Sequence, residues 1–481
     1  MTPKKTVHFV SLGCPKNRVD SEVMLGHLVA DGYLPVDSAE GADVVVVNTC
    51  GFIDAAKEES VDAITEMARL KETGSVKKLV VTGCLSQRYA PDLAKELPEI
   101  DHFLGTGNFD GIAHVLRGDK PRGHKRLPIV EGGAVSHPKP PKQAPFHHHA
   151  RRGDAKPIEI PDPDFTLSAA SPRVTTLPAH MAYVKVSEGC SNTCAFCIIP
   201  RLRGPQRSRP VGDVVAEVER LLTGGCIEVN LIAQDLCAYG RDLAPKESLA
   251  DLLRALDDLG GNRDDYWIRC LYAYPKGLTE EVMEVMGGAK HVLKYLDMPL
   301  QHIADPILRR MRRGKGGPAT WELVRRLREL VPGLVLRTTF ITGLPGETDA
   351  DFDELCEFVR EIRFERMGVF TYSREEDTPA GEMSDQVPAE LAAERRDVLM
   401  ALQRDISKEQ QEALVGTTLE VLVDGVAEES ELLLQGRHQG QAPEIDGVTY
   451  ITDGTARPGE VVRIRVDEAA EYDVAGPIVA P

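Results

Sequence analysis

Residues Val186–Arg203 read VSEGCSNTCAFCIIPRLR and set Cys190, Cys194 and Cys197 in the spacing C-x3-C-x2-C. Three thiolates gathered in eight residues can each take one iron of a cubane iron–sulfur cluster, because soft sulfur ligands suit iron and a short loop lets three side chains converge. The fourth iron is then open to a small chelating ligand, such as the amino and carboxylate groups of S-adenosylmethionine. A zinc knuckle is the rival reading, but it wants four ligands in paired spacing. No His or further Cys follows within twenty residues of Cys197. An accidental group of small buried cysteines fits the spacing poorly.

Working outward from this loop, MAYVKVSEGC from Met181 reads as the strand that feeds it. VGDVVAEVERLLTGG follows with apolar residues at helical spacing, and CIEVNLIAQD is the next strand. YWIRCLYAYP, YLDMPLQHI, LVLRTTFITG and RMGVFTYS continue the series with helices between them. Alternation of this kind predicts an α/β barrel or partial barrel whose active site lies at the strands' carboxyl ends, where the cysteine loop sits. Gly224 and Gly225 precede one strand, and GLPGE from Gly343 follows another. Either can bring backbone close to a cofactor, or simply make a turn. Cys226, Cys237, Cys270 and Cys356 share no ligand spacing and read as core. The run RRMRRGKGG from Arg309 is a local basic patch that either meets an anionic surface or stays solvated.

Toward the amino end, VHFVSLG, ADVVVVNTC and KKLVVTGC read as strands separated by helices, the first expected to be capped by Ser21 and the second to run from about Asp54 to Lys71. The result is a βαβ open sheet. Cys14, Cys50 and Cys84 each fall just past the carboxyl end of a strand, after Gly13, Thr49 and Gly83. In a parallel sheet those ends share one edge, the edge where ligands bind. Each cysteine alone reads equally as a small buried residue; all three at equivalent positions point to a second three-cysteine cluster.

Between 118 and 178 the chain turns rich in Pro, Lys, His and Arg, with PKPPKQAPFHHHARRGD at its centre, and reads as a linker or insertion. His147–His149 read as solvated rather than metal-binding. From Gly416 short alternating strands separated by Gly, Asp and Pro predict a small OB-like β-barrel. The expected organisation is 1–117, a 118–178 linker, 179–412 and 413–481.

Charge and cysteine usage bound the partners. The chain has 481 residues, 75 acidic against 57 basic, for a net charge of −18. Residues 416–481 hold 13 Asp and Glu against 4 Lys and Arg, so the terminal barrel would repel a phosphate backbone and suits a basic protein. Ten cysteines are too sparse for a secreted disulfide scaffold, and at least three of them sit in a motif that works only as reduced thiolates, so a reducing, cytoplasmic compartment is expected. The apolar run before Cys14 is too short for a signal h-region, and no stretch approaches the length of a membrane span.

Together these features resemble the radical S-adenosylmethionine methylthiotransferases over nearly the whole chain outside 118–178. That family joins an N-terminal domain with three separated cysteines, a radical domain with C-x3-C-x2-C and a C-terminal TRAM barrel. SLGCPKNRVDSE, VVNTCGFI, DMPLQHI, MRRGKGG, TTFITGLPGET and GRHQGQAPEIDG resemble its RimO branch, which modifies small-subunit ribosomal protein S-twelve. The tRNA-modifying MiaB branch has different residues at several of these places, and its barrel must bind RNA. The segment Leu236-Cys237 after Asp235 departs from the small hydroxylated residues expected there.

The resemblance implies two 4Fe-4S clusters and S-adenosylmethionine. Cys190, Cys194 and Cys197 would hold the cluster that passes one electron to the cofactor, giving methionine and a 5′-deoxyadenosyl radical that removes hydrogen from an aspartate β-carbon. Cys14, Cys50 and Cys84 would hold the auxiliary cluster that carries sulfur, accepts a methyl group and delivers methylthio. Phe196 would shield the first cluster or pack on the adenine, its alternative being plain core packing. An electron donor and a sulfur donor are further partners implied. The competing expectations are a tRNA adenosine methylthiotransferase and a non-catalytic iron–sulfur carrier.

Overall fold

The computed structural model describes residues 5–118, 148–149, 158–260, 265–314 and 316–480. Its first sheet has β1 (Thr6–Ser11), β2 (Leu34–Pro35), β3 (Val44–Thr49), β4 (Lys78–Gly83), β5 (His102–Leu104), β6 (His148–His149) and β7 (Ile158–Ile160), in the order β2-β1-β3-β4-β5-β7-β6. All neighbours are parallel except β6 and β7. Helices α1 (Pro15–Ala30), α2 (Asp54–Glu72), α3 (Cys84–Glu96) and α4 (Ile112–Arg117) cover it. Val45, Val47, Leu79 and Val81 pack on Ile64 and Met67 of α2. Val44, Val46 and Val80 pack on Met24 and Leu28 of α1 and Ile112 of α4. Both faces are therefore dry, which is why β3 is apolar almost throughout. Each of its four buried valines contributes about 1.5–3 kcal/mol.

Two local expectations change. Helix α1 starts at Pro15 with Cys14 as its cap, since proline is pre-set for a first turn. Ser21 lies inside the helix, where its hydroxyl donates to Ser11 Oγ at 2.8 Å and accepts from Asn48 Nδ2 at 3.0 Å. The described part of the 118–178 segment is built into the fold. Ile160 enters the first core, Leu167 is buried, and Arg173 donates to Glu22 at 2.6 Å and to Glu217 at 2.6 Å. Single apolar anchors in a Pro-rich stretch carry no periodicity, so the composition hid them. The side chains of His147–His149 lie outside the described residues.

The central sheet contains β8 (Met181–Lys185), β11 (Glu228–Ile232), β12 (Trp267–Cys270), β13 (Val292–Asp297), β14 (Val335–Thr342) and β15 (Arg366–Thr371), parallel throughout in the order β15-β14-β13-β12-β11-β8. A short ribbon, β9 (Ser187–Glu188) with β10 (Arg207–Ser208), follows β8. Helices α5 (Ile199–Arg203), α6 (Val211–Thr223), α7 (Leu249–Asp257), α8 (Glu280–Gly288), α9 (Asp305–Arg310), α10 (Gly317–Leu330), α11 (Asp349–Ile362) and α12 (Ala389–Glu412) alternate with the strands. Ser248 with Asp251 and Thr348 with Asp351 form capping boxes at α7 and α11. The outer core takes Val184, Leu231 and Ile268 with Val218, Leu253 and Phe358, and also all of Cys226, Cys237, Cys270 and Cys356, as expected.

The inner face of this partial barrel is filled by the two flanking domains. Tyr183, Ile232, Leu271 and Tyr295 pack with Val19 and Val23 of α1 and with Leu422 and Ala442 of the terminal domain. That domain has β16 (Thr418–Ala427), β17 (Ser430–His438), β18 (Thr449–Ile451), β19 (Val461–Arg465), β20 (Glu468–Ala469) and β21 (Val474–Gly476), in the order β19-β16-β17-β18-β21-β20. A bridge from Ile464 to Ile478 curls this mixed sheet toward closure over Val421, Val423, Ile451 and Ile464.

A buried charge network fastens the terminal domain to the barrel. Glu228, with no exposed surface, accepts from Arg269 Nε at 2.8 Å and from Arg437. Arg437 also donates to Asp424 at 2.8 and 2.9 Å, and His180 contacts Asp424 at 3.1 Å. Burial alone would raise the Glu228 pKa, but the two guanidinium groups hold it below the ordinary carboxylate range. Removing one member leaves the others buried and unpaired. Glu228→Gln is expected to lower unfolding free energy by about 3–5 kcal/mol, read from the urea midpoint; a loss under about 1 kcal/mol would mean that water replaces the carboxylate.

Candidate active site

The first cysteine set is made by strand ends. Ser11 pairs with Asn48 and Thr49 with Gly83, so β1, β3 and β4 stop together. Cys14 caps α1, Cys50 follows β3, and Cys84 opens α3. Two glycines let the ends approach. Gly13 has φ +84°, and a Cβ there would stand 2.9 Å from Cys50 Cβ and 3.3 Å from its Sγ. Gly83 has φ +95°, and its Cβ would meet the Thr49 carbonyl at 2.5 Å. Ser60 Oγ accepts from the Cys50 amide at 3.0 Å and donates to its carbonyl at 2.9 Å. The three thiols sense one another electrostatically. Because Cys14 caps α1 and Cys84 opens α3, both helix amino termini favour negative charge here.

The environments of the three thiols differ. Burial disfavours the Cys14 thiolate, but Lys16 and Arg203 outweigh it and bring the pKa below the ordinary thiol value. Burial, with its two neighbouring thiols, pushes Cys50 up to about 12. Burial also raises Cys84, against the pull of Arg203.

The second set lies in the loop after β8, at the carboxyl edge of the central sheet. Backbone bonds pin it: Cys190 N donates to Gly204 O at 3.0 Å, and Ala195 N to Met311 O at 2.9 Å. Asn192 Nδ2 donates to Cys190 Sγ at 3.5 Å and to Asp235 Oδ2 at 2.6 Å. Arg313 Nη1 lies 3.6 Å from Cys194 Sγ, and its guanidinium stands 4.4 Å from the Tyr274 ring centre. Burial pushes Cys190 up to about 11 and Cys197 higher still. Beside the loop is a cavity of about 340 Å³ lined by Ser191, Asn192, Gln206, Asp235, Tyr274 and Lys276 among others. Phe196 is half-buried and packs on Ala304, Ile307, Met311 and Leu344.

Gly224 and Gly225 do not join this site. Gly224 ends α6, and Gly225, at φ +98°, turns the chain toward the amino end of β11, on the opposite side of the sheet from the cysteine loop. The basic run divides: Arg313 is buried and turns inward to Cys194 rather than staying in water.

Arg203, at the end of the helix that follows the second set, reaches the first set. This fully buried residue ends α5 and crosses to the first domain. Its Nη1 donates to Asp20 at 2.8 Å and to Glu188 at 3.1 Å, its Nη2 donates to Asn17, and it also bonds the Cys84 thiol. Lys185 donates to Asp20 and, at 2.7 Å, to Glu188. Ile198, Leu202 and Phe52 pack around Cys84. Lys16 reaches the other way, its ammonium 3.1 Å from the Tyr272 ring centre. Sequence reasoning passed over Arg203, although it closes the quoted stretch, because a charged residue after a cysteine loop carries no spacing signal.

Comparison with known proteins bears on this arrangement. Residues 6–105 match the uncharacterized protein family UPF0004, 184–359 the Radical SAM superfamily and 415–479 the TRAM domain. The chain is 53% identical over 475 residues to the ribosomal protein uS12 methylthiotransferase RimO of Anaeromyxobacter sp. (strain Fw109-5), covering 98% of this chain and 93% of the relative. It is 46% identical over 477 residues to the protein of that name from Geobacter sulfurreducens, covering 99% of each. The chain belongs to the RimO family. Among solved structures it is similar in fold to the radical S-adenosylmethionine methyltransferase TsrM of Kitasatospora setae, with TM-score 0.54 at 14% identity over 84% of this chain and 89% of that one.

Within the RimO family fold, then, the first cysteine set sits in the UPF0004 part and the second in the radical SAM part. Among the described residues no three His, Cys, Asp or Glu side chains are gathered tightly enough for a single metal ion. A polynuclear cluster, in which each thiolate takes its own iron, asks for wider placing.

The unequal thiols predict unequal reactivity. Cys14 and Cys50 are both partly exposed, so their thiolate fractions decide. In metal-free protein at about pH 8, iodoacetamide should label Cys14 at least about tenfold faster than Cys50, with the Cys50 rate still climbing as pH rises. Peptide mapping by mass spectrometry reads the order, and equal rates would contradict it.

Proposed function

We propose that this chain is a radical S-adenosylmethionine methylthiotransferase whose substrate is an aspartate side chain of ribosomal protein uS12. The observation that carries the reading is that each of two sheets gathers three cysteines at its carboxyl edge, and that Arg203, in the helix that follows the second set, bonds Asp20 and the Cys84 thiol of the first domain. Cys190, Cys194 and Cys197 are assigned to one 4Fe-4S cluster, and Cys14, Cys50 and Cys84 to a second. The donor sets fit: each offers three thiols that sense one another, beside cationic groups that offset thiolate charge. When bound, these groups and S-adenosylmethionine supply the one-electron chemistry that removes hydrogen from an unactivated β-carbon and the sulfur that replaces it.

The chain's own residues do the positioning. Asn192 and Asp235 present polar atoms to the cavity beside Cys190, where the cofactor's polar end can be received. Phe196 walls the cysteine loop with an apolar face. Arg203 and Lys185, bonded to Asp20 and Glu188, set the distance between the two domains. The reductant and the sulfur donor are other molecules of a reducing, cytoplasmic compartment.

The terminal domain suits a basic protein. Of its four basic residues Arg437 is buried against Glu228, and Arg465 is bonded to Asp467. The β16–β17 hairpin exposes Leu432 (93%) and Val426 (56%) beside Glu428, Glu429 and Glu431. An RNA backbone would be repelled here, whereas a basic protein surface gains both contacts.

Mass spectrometry of uS12 and of total tRNA, from cells with and without this gene, tests the reading: one methylthio group should vanish from a uS12 aspartate with tRNA unchanged. Loss from tRNA adenosine instead would sink it. In purified protein, Cys194→Ala should abolish cleavage of S-adenosylmethionine, whereas Cys50→Ala should keep cleavage and abolish methylthio transfer; identical losses would refute the division of labour.

A further inference from the structure

We infer that the groove between α8, α9 and α10 is where the reductant docks, and that this reductant is an acidic one-electron carrier protein. The inference rests on the functional reading above, which needs an electron at the cluster assigned to Cys190, Cys194 and Cys197, and adds to it the surface where that electron enters. The groove has a volume of about 480 Å³. Leu278, Met283, Leu300, Leu308 and Leu323 line it with apolar surface. Lys276 stands exposed on it, and Arg313, 8% exposed, lies in its wall.

Arg313 connects the groove to the cysteine loop. Its Nη1 lies 3.6 Å from Cys194 Sγ, its Nη2 donates to the Pro299 carbonyl, and its guanidinium carbon stands 4.4 Å from the Tyr274 ring centre. One side chain thus separates the groove from a ligand thiol. Electron transfer between proteins falls off exponentially with the gap between the two centres, so a donor surface has to lie close to the ligands it serves. The cavity on the Asn192 side of the loop is taken by the polar end of the cofactor in the reading above, which leaves the Arg313 side for the electron.

Charge selects the partner. Residues 309–317 hold five basic residues and no acidic one, in a chain of net charge −18. Arg310 pairs with Asp385 at 2.8 Å, but Arg309 and Arg312 are exposed and, like Lys276, have no carboxylate partner among the described residues. The acids on the groove are already answered, Glu280 by Arg326 at 2.8 Å and Glu322 by Arg325 at 2.6 Å. The surplus is therefore positive. Apolar surface beside unpaired cations suits a protein with an acidic face, which gains steering as well as contact. A phosphate backbone has no use for the apolar part. A basic substrate protein is repelled here and drawn instead to the acidic terminal domain, so carrier and substrate meet opposite signs on one chain. In the step itself the reduced carrier loses one electron, the cluster gains it, and no bond forms or breaks.

The test uses the full-length reconstituted protein and its variant Arg309→Glu/Arg312→Glu, with two reductants of opposite charge: flavodoxin, an acidic flavoprotein, and reduced methyl viologen, a small cation. Binding of oxidised flavodoxin is read by calorimetry, and cleavage of S-adenosylmethionine is measured with each reductant. The variant should bind flavodoxin at least about tenfold more weakly at low salt and lose a similar factor in flavodoxin-driven cleavage. Viologen-driven cleavage and iron content should stay within about twofold of wild type, because the cluster is untouched. Wild type gives an independent reading: raising salt should weaken flavodoxin binding and leave viologen-driven cleavage nearly unchanged. Flavodoxin binding that ignores both salt and the substitutions, or equal slowing with both reductants, would overturn the inference. So would a variant that keeps flavodoxin-driven cleavage but loses affinity for ribosomal RNA, which would hand the patch to nucleic acid. If wild type cleaves no S-adenosylmethionine with either reductant, the functional reading itself fails and takes this inference with it.

Discussion

The structure depends on a charge cluster that water does not reach. Arg203 and Lys185 of the central domain share Asp20 of the first and Glu188 of their own strand ribbon, and all four side chains are at most 5% exposed. A pair of this kind in isolation is weak evidence for stability, because desolvation offsets the attraction. Its value here is geometric. Each ion has two or more partners at fixed angles, so the domains can meet in one relative position and no other. The surface bridge between Arg18 and Glu444, by contrast, is worth at most about 1 kcal/mol and positions little.

That constraint explains why two separate sheets behave as one site. Parallel sheets present their ligand edges at the strands' carboxyl ends, but nothing in either sheet brings its edge to the other's. The clamp does so, with Arg203 reaching Cys84 from a helix that begins next to Cys197. Leu202 and Ile198 close the gap with apolar surface. The same arginine thus sets distance and lowers the cost of negative charge on the first set of thiols.

Much of this was legible in the chain. Cys14, Cys50 and Cys84 could be brought together without coordinates because each ends a strand of the same parallel sheet, and that rule is topological rather than local. The C-x3-C-x2-C loop needed only spacing. Gly224 and Gly225 misled because a glycine pair before a strand does not say which end of the sheet it occupies; α6 places it on the far side. Ser21 is of a residue type that favours a cap, but Pro15 begins the helix earlier and the hydroxyl serves Asn48 instead. Arg313 and Lys16 were illegible for a different reason. A basic side chain is solvated unless its surroundings are known, and the contacts that define these two, Lys16 with Ala233 and Arg313 with Cys194, join segments more than a hundred residues apart.

The insertion of α1 and of the terminal domain into the inner face of the barrel also bears on how the protein is made. Val19 and Val23 are synthesised well before the strands that cover them, from Tyr183 to Tyr295, and Leu422 and Ala442 come later still. Until then that apolar face has no complete cover. Vectorial synthesis therefore leaves the inner face of the barrel open until the terminal domain has been made.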